Sequence, residues 1–245
     1  MGRRRPPATH VVLDRREAIA FLGLAGSAVL LGCGGAAQGP ACALAPALTA
    51  GPYWQDEGLE RTDLRWDTHR LAVPDPRPGV PLRLDIRVVA SSDEACHAVH
   101  GAQVDLWHCD ALGIYSDVSQ SGTSGQDFLR GYQRTDFAGW VSFTTIYPGW
   151  YAGRAVHIHA KVRLFDPYGE VTTEVSTQLF FDDAVTDAVH SVDPYRERGQ
   201  RDTRNAADAI YAGHRELMLS LEGNPTAGYE GIIDLAILVG HVHTG

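Results

Sequence analysis

The sequence predicts an all-β protein, an antiparallel β-sandwich with long loops and little helix. Apolar residues alternate with polar ones over short stretches, as at Leu82, Leu84, Ile86 and Val88, and this alternation is typical of strands with one buried face. Clusters of Gly, Pro, Asp and Ser separate these stretches, and no regular helices alternate with them. With 245 residues and 44% hydrophobic content, the chain can bury a core of its own.

The strand-like stretches can be followed in order along the chain. After the first one come 103–109, 130–135, 140–146, 156–165, 175–181, 216–221 and 228–239. Only residues 205–211 look briefly helical. We therefore expect one β domain over residues 51–245.

The first 32 residues have the layout of a secretory signal, and we exclude them from the domain. Five arginines precede an apolar stretch over 18–31, and the pair Arg15-Arg16 resembles a twin-arginine export signal. Leu30-Leu31-Gly32-Cys33 resembles a lipoprotein cleavage site, at which Cys33 would become the lipidated N-terminus. We expect a protein exported from the bacterial cytoplasm to the periplasm or cell surface and anchored through Cys33. The alternatives are an uncleaved anchor helix and an ordinary signal that is cut a little later.

Residues 33–50 are small and rich in Gly and Pro, which predicts a flexible tether between the anchor and the domain. Beyond Cys33 the chain contains Cys42, Cys96 and Cys109. An oxidising compartment would permit one disulfide among them and leave one thiol. All three pairings are open, as is the alternative of three buried and unpaired cysteines.

The charge of the chain excludes some partners. The formal net charge is −9, and the 21 basic residues are spread along the chain without forming a patch. A nucleic-acid surface needs a local excess of positive charge, so we expect no nucleic-acid partner. No stretch reaches the roughly 18 apolar residues of a spanning helix, which excludes a polytopic membrane protein. The oligomeric state stays open.

The strongest chemical signal is the segment His157-Ile158-His159. Residues two apart on a strand point to the same face, so the two imidazoles project together at the separation of metal ligands. By itself, this pattern is equally typical of two histidines on a solvated strand face. A Pro148-Gly149 turn precedes it and carries Tyr151 and Arg154, polar groups that can converge on the same point.

The usual metal-binding patterns do not match this segment. The His-Glu-x-x-His pattern of zinc hydrolases is absent, and no Glu follows closely, as a cupin site would require. Ferrous facial triads also need a carboxylate. Tyrosines are offered instead, and a phenolate is a hard anionic donor that suits a trivalent ion such as Fe(III).

Four motifs, two of which contain the residues described above, resemble those of the intradiol ring-cleaving dioxygenases, in the order in which that family carries them. They cover roughly residues 51–181, together with Gly51-Pro52-Tyr53 near the start and a Thr-Gln-Leu-Phe-Phe segment from Thr177. The motifs are Trp107 to Ser116 (Trp-His-x-Asp-x-x-Gly-x-Tyr-Ser), Arg130 to Thr135 (Arg-Gly-x-Gln-x-Thr), Pro148 to Tyr151 (Pro-Gly-x-Tyr) and Arg154 to His159 (Arg-x-x-His-x-His).

This resemblance implies a β-sandwich that holds a non-haem ferric ion through two tyrosines and two histidines. Tyr115 and His157 would be the equatorial ligands and Tyr151 and His159 the axial ones, with hydroxide or water in the fifth position. The matched family arginine, Arg154, would stabilise negative charge on the substrate ring. Gln178 matches a glutamine of the substrate pocket beside it.

The resemblance also implies the reaction. A catechol-type diol would displace the hydroxide and Tyr151, react with O2 and be cleaved between its hydroxylated carbons to a muconate-type diacid. A secreted β-sandwich binding module with a structural metal site and no turnover is the alternative, and a zinc-dependent hydrolase on a β scaffold is a third possibility. Which catechol is the substrate stays open.

Other polar and aromatic residues are less informative. We expect His108 to be structural or to support the ligands, and His241 and His243 to lie at a solvated chain end. Tyr53 and Trp150 are as typical of a substrate pocket as of a core. The motif residues that are equally compatible with a scaffold role are Arg130, Gln133 and Thr135.

Overall fold

The computed structural model describes residues 42–69, 75–91 and 95–239. Within these residues the chain forms nine strands and one α-helix. The strands are β1 (Pro81–Ser91), β2 (Cys96–Ala98), β3 (Gln103–Trp107), β4 (Arg130–Arg134), β5 (Trp140–Ile146), β6 (His157–Phe165), β7 (Val171–Phe180), β8 (Ser220–Asn224) and β9 (Gly228–Ile237), and the helix is α1 (Asp183–His190). No helix of the described part is long and apolar enough to cross a membrane.

The strands form two sheets, which confirms the predicted β-sandwich. In the first sheet the order is β2-β1-β9-β8, with β5 also paired to β1, and in the second it is β4-β3-β6-β7. Neighbouring strands are antiparallel except β1 and β9, which pair in parallel from Leu82↔Tyr229 to Ala90↔Ile237. Alternation along a strand shows which side chains are buried but not the direction of the partner strand, so the sequence did not predict this parallel pair.

The core lies between the sheets and follows the period-two pattern. Leu82, Leu84 and Ile86 of β1 are at most 1% exposed, and Ile158 and Ala160 of β6 face them from the other sheet with no exposure. The alternate residues of β6 therefore point away from the core. This outward face of the second sheet is where the histidines lie.

Several elements differ from the sequence prediction. The strand predicted over 216–221 starts at Ser220, because residues 215–217 form a 3₁₀ turn, and the predicted helix over 205–211 is only the 3₁₀ turn Asn205–Ala207. The short β2 and the helix α1 were not predicted. Asp182 caps α1 by accepting hydrogen bonds from the amides of Ala184 and Val185.

Residues 42–54, the N-terminal strap, pack on the sandwich. A disulfide joins Cys42 to Cys96, and the amide of Leu48 donates to the carbonyl of Ser176 in β7. The prediction of a flexible tether over 33–50 is therefore wrong for residues 42–50, because main-chain hydrogen bonds and a disulfide hold them. Residues 33–41 lie outside the described residues, so there the tether stays a prediction.

Of the pairings left open by the sequence, the structure contains Cys42–Cys96, and Cys109 is buried as a free thiol. The predicted leader over 1–32, the lipid attachment at Cys33, and His241 and His243 fall outside the described residues.

Candidate metal centre

In the second sheet, pairing of β6 with β3 and β7 places His159 beside side chains of both neighbouring strands. His159 lies opposite Trp107 of β3 and opposite Gln178 of β7. Residues that face each other across an antiparallel pair share a face, so all three side chains lie on the outer side of the sheet. The Trp107 ring stacks on His159 at 4.8 Å with an interplanar angle of 5°.

The two imidazoles of β6 meet through their Nε2 atoms, which are 3.1 Å apart. His157 Nδ1 lies 2.6 Å from the carbonyl of Ala155, and because a carbonyl can only accept, Nδ1 carries the proton. Burial lowers the pKa of His157 to about 3, so its ring is neutral and its Nε2 presents a lone pair. Burial also holds the pKa of His159 well below its ordinary value. Neutral imidazoles of this kind are metal ligands.

Tyr115 is positioned by the turn after β3. Asp110 accepts hydrogen bonds from the amides of Leu112 and Ile114 at 2.9 Å, which closes the turn. Gly113 has φ +80°, and a Cβ there would lie 2.1 Å from the carbonyl oxygen of Trp150. Only glycine lets this turn approach the one that carries Tyr151.

Tyr151 comes from the turn between β5 and β6. The amide of Gly149 donates to the carbonyl of Asp110 at 3.0 Å, so the two tyrosine-bearing turns are joined directly. The hydroxyl of Tyr151 donates to the lone pair of His157 Nε2 at 3.2 Å. The ring of Tyr151 lies 5.6 Å from that of Tyr115 in an edge-to-face arrangement.

The structure therefore brings together all four side chains that were predicted as ligands. The Tyr115 ring lies 6.2 Å from that of His159, and its buried hydroxyl oxygen makes no hydrogen bond of good geometry to a described residue. Burial raises the pKa of Tyr115 well above its ordinary value and that of Tyr151 to about 12. Both phenols are neutral unless a cation binds and favours the phenolates.

This donor set fits a hard trivalent ion. Ligand atoms about 2 Å from one ion lie roughly 3 Å apart when they are adjacent in its coordination sphere. The separations of 3.1 Å and 3.2 Å around His157 Nε2 agree with that, and the unpartnered hydroxyl of Tyr115 supplies a further donor. Among the described residues, no group of three or more His, Cys, Asp or Glu could hold a metal ion. A site at this place would include the tyrosines, whose phenolate oxygens are hard donors that suit a trivalent ion.

Arg154 and Gln178 lie side by side next to the four predicted ligands. Arg154 Nη2 donates to Gln178 Oε1, and Gln178 Nε2 donates to the carbonyl of Thr49 in the strap at 2.9 Å. The charge of Arg154 lowers the pKa of Tyr115, Tyr151, His157 and His159 alike, although burial has the larger effect on each. A fixed cation therefore faces the whole cluster.

Sequence reasoning missed Asp208, which holds Arg154 in place. Its carboxylate is 1% exposed and accepts hydrogen bonds from Arg154 Nε at 2.9 Å and from the Ala155 amide at 2.7 Å. Burial alone would raise the pKa of Asp208, but the amides of Ala155, Ile210 and Tyr211 and the charge of Arg154 outweigh it and lower the pKa. Asp208 lies 54 residues after Arg154. No motif or spacing in the sequence connects the two.

Arg130 is part of the scaffold of the tyrosines. Its guanidinium donates to the hydroxyl and carbonyl of Ser116 at 2.7 Å and 2.8 Å, and to the carbonyl of Tyr53 at 2.7 Å. The ring of Tyr53 stacks on that of Tyr115 at 4.4 Å. Tyr53 thus lies against the predicted ligands rather than in the main core, and Arg130 fixes the backbone on both sides of this stack.

The remaining motif residues take structural positions. His108 is fully buried, with Nδ1 2.8 Å from the carbonyl of Cys109 and Nε2 2.7 Å from the hydroxyl of Thr145. Both of its nitrogens are occupied, so it is not placed to bind a metal. Thr135 Oγ1 donates to the carbonyl of Val99 at 2.6 Å. Gln133 Nε2 donates to the carbonyl of Ser142, and Trp150 Nε1 donates to the carbonyl of Gly199 at 3.1 Å.

Comparisons with known proteins show which proteins this chain resembles. The model of a dioxygenase family matches residues 49–208. An intradiol ring-cleavage dioxygenase from Tetranychus urticae is 27% identical, with a TM-score of 0.69 over 83% of this chain and 98% of that one. The dioxygenase domain of a carbohydrate-binding fusion protein from Streptomyces sp. SirexAA-E is 28% identical, with a TM-score of 0.57 over 81% and 100%.

A third solved structure, the 3-chlorocatechol 1,2-dioxygenase from Rhodococcus opacus 1CP, shares the fold at 23% identity, with a TM-score of 0.55 over 78% of this chain and 71% of that one. No curated protein sequence matches the chain.

Proposed function

Because the chain belongs to the intradiol ring-cleavage dioxygenase family, we propose that it cleaves a catechol-type aromatic diol with O2 to a muconate-type diacid. The proposed site is a non-haem Fe(III) held by Tyr115, Tyr151, His157 and His159. One observation carries the proposal: two buried neutral imidazoles, the buried phenol of Tyr115 and the half-buried phenol of Tyr151 converge on a single point. When bound there, ferric iron would act as a Lewis acid on the diol oxygens.

The two tyrosines are suited to different tasks. Tyr115 is 3% exposed and is held by the Asp110 turn and the stacked Tyr53, so it would stay in place. Tyr151 is only partly buried, and its hydroxyl donates to His157. The phenolate oxygen of Tyr151 would take one of the two protons of the incoming diol and move away, and a displaced hydroxide would take the other and leave as water. This exchange keeps the net charge of the site low while a dianionic substrate enters.

Arg154 would stabilise the negative charge that develops on the diol ring. A guanidinium does not lose its proton in proteins, so the charge is permanent. Asp208 and Gln178 fix it from two sides, and preorganised donors of this kind contribute to catalysis because they need no reorientation during the reaction. Because Gln178 also donates to the carbonyl of Thr49, it would link the position of this arginine to that of the strap.

We also propose that the enzyme acts outside the cytoplasm, anchored through lipid on Cys33, on catechol, protocatechuate or a lignin-derived relative. The predicted export signal over residues 1–32 is the sequence feature that supports this localisation.

Iron content and oxygen uptake test the proposal. The full chain, loaded with Fe(III), should absorb visible light through tyrosinate-to-iron charge transfer and consume O2 when catechols are added. His157→Ala and His159→Ala should lose iron and colour. The matched control His97→Ala, which changes an exposed histidine of β2, should keep both.

Arg154→Ala separates catalysis from metal binding. We expect it to keep the coloured site and slow turnover by about 10²-fold or more, as expected for loss of one preorganised electrostatic group. A coloured protein that consumes no O2 with any catechol tested would instead favour the binding module without turnover. Equal iron loading in the wild type, His157→Ala and His159→Ala would contradict the assignment of the ligands.

A further inference from the structure

The sandwich has two ends, and the four predicted ligands lie at one of them. β3 ends at Trp107 and β6 begins at His157, so both tyrosine-bearing turns lie at this end. At the opposite end, β1 ends at Ser91 and β9 at Ile237, while β6 ends at Phe165. We call this opposite end, made of residues 91, 95–103, 134–140, 165–171 and 237–239 of the described chain, the distal end.

Exposed apolar side chains concentrate at or beside the distal end. Eight large apolar side chains are exposed among the described residues, and the six that belong here are Leu44, Phe137, Tyr168, Val171, Leu238 and Val239. Phe137, at the tip of the β4–β5 turn, is 86% exposed, and Tyr168, at the tip of the β6–β7 turn, is 91% exposed. Single exposed apolar residues are ordinary, but their concentration at one end indicates a contact surface.

The chain enters the described domain at this same end. Cys42 is the first described residue, and its disulfide partner Cys96 pairs with Ser91 at the end of β1. Leu44 forms a bridge with Ala236, one residue before the end of β9. The described chain therefore begins at the distal end.

The number of residues between the predicted lipid anchor and the domain indicates what the distal end faces. Cys42 lies nine positions after Cys33, the predicted lipid attachment site. A chain of this length spans at most about 30 Å when extended, and about 16 Å on average as a coil. A lipid on Cys33 would therefore keep the distal end at the bilayer, where its apolar side chains can enter the interface.

We propose that the distal end is a lipid-facing surface that rests on the bilayer and turns the metal centre away from it. This proposal goes beyond the proposed function and does not depend on iron. It depends on anchoring of the N-terminal segment, and it explains why the apolar side chains are at the end farthest from the predicted ligands.

Local hydrogen bonds hold the two most exposed residues outward. Asp166 Oδ1 accepts from the amides of Tyr168 at 2.8 Å and Glu170 at 2.9 Å, and Asp136 Oδ1 accepts from the amide of Ala138 at 2.9 Å. Little conformational entropy would be lost when these tips enter the interface. Because the chain is acidic, apolar contact rather than charge would provide the attraction, so a zwitterionic lipid is the appropriate target.

Amide hydrogen exchange of the full chain, with and without phosphatidylcholine vesicles, tests the proposal. We expect exchange to slow in the turns 134–140 and 166–171 only when vesicles are present, with no change in the turns 110–116 and 148–151. The double variant Phe137→Ser, Tyr168→Ser should lose this protection. Ile232→Ser, which removes an exposed apolar side chain midway along β9, is the matched control and should retain it.

Three results would overturn the proposal. The first is a chain that binds vesicles while the distal turns exchange as fast as in solution, because another surface then faces the lipid. The second is protection of these turns without vesicles that rises with protein concentration, because a second copy of the chain then covers them. The third is equal loss of protection in Ile232→Ser and in the double variant.

Discussion

Asp208→Asn tests whether the position of Arg154 matters as much as its charge. In the native protein one carboxylate oxygen accepts from Arg154 Nε and the Ala155 amide, and the other accepts from the amides of Ile210 and Tyr211 at 2.7 Å and 3.1 Å. Asparagine has nearly the same shape but offers one acceptor oxygen and no charge. The variant therefore loses the ion pair and at least one hydrogen bond at almost constant volume.

The expected loss of stability follows from burial. Asp208 is 1% exposed, and Arg154 is 16% exposed. Removal of one partner from a buried ion pair costs roughly 3–5 kcal/mol, and the partial exposure of Arg154 places this pair near the lower value, about 3 kcal/mol. For a protein of this size that corresponds to a fall in Tm of about 6–12 °C.

The expected catalytic effect is a fall in kcat with a smaller change in KM. A misplacement of about 1 Å in a catalytic group costs on the order of 10²-fold, so we expect a fall of roughly 10- to 100-fold. Iron content and visible absorption should stay unchanged, because Asp208 contacts none of the predicted ligands. Thermal unfolding, iron analysis and oxygen uptake of the purified variant check the three expectations.

Asp202→Asn is the matched control, because Asp202 accepts from the amide of Gly153 beside Arg154 without contacting the guanidinium. It should lose little stability and keep full turnover. Native kcat in Asp208→Asn, together with the expected fall in Tm, would refute the reasoning and leave Asp208 a purely structural residue. Loss of iron in that variant would show that Asp208 supports the ligands themselves.

Gly113→Ala should lower the iron content at least tenfold, because the new Cβ would lie 2.1 Å from the carbonyl oxygen of Trp150 and separate the two tyrosine-bearing turns. The far-UV circular dichroism should stay unchanged. Native iron loading in this variant would show that the turns need not touch. Cys42→Ser, or reduction of the native protein, should lower the free energy of unfolding in denaturant titrations by up to about 4 kcal/mol. The reason is that the disulfide closes a loop with a sequence separation of 54. A reductant should have no further effect on the variant. Burial lowers the pKa of His108 from 6.5 to about 4, so the unfolded chain binds a proton that the folded chain does not. The contribution to stability, about 3 kcal/mol, is present above pH 6.5 and is lost as the pH falls to 4. In the metal-free protein the buried His157 and His159 act in the same direction, so His108→Gln should reduce the loss of stability between pH 6.5 and 4 without abolishing it. An unchanged pH dependence in His108→Gln would contradict the assignment to His108.

The sequence by itself predicted the sandwich, because burial of one face imposes a period of two on each strand. It also predicted the shared face of His157 and His159, since two residues apart on one strand is a local relation. The turn that precedes these histidines indicated Tyr151, and the resemblance added Tyr115; the structure places all four side chains together. Their roles as ligands stay predictions, as do the roles of Arg154 and Gln178.

Only the tertiary structure decided the contacts between segments that are distant in the chain. The pairing of Arg154 with Asp208, the choice of Cys42–Cys96 among three pairings and the parallel alignment of β1 with β9 all depend on where other segments pass. Local patterns carry no information about such partners, because one acid or one cysteine resembles another until the chain is folded. The strap shows the same limit, since its small residues resembled a tether until the sheet supplied hydrogen-bond partners.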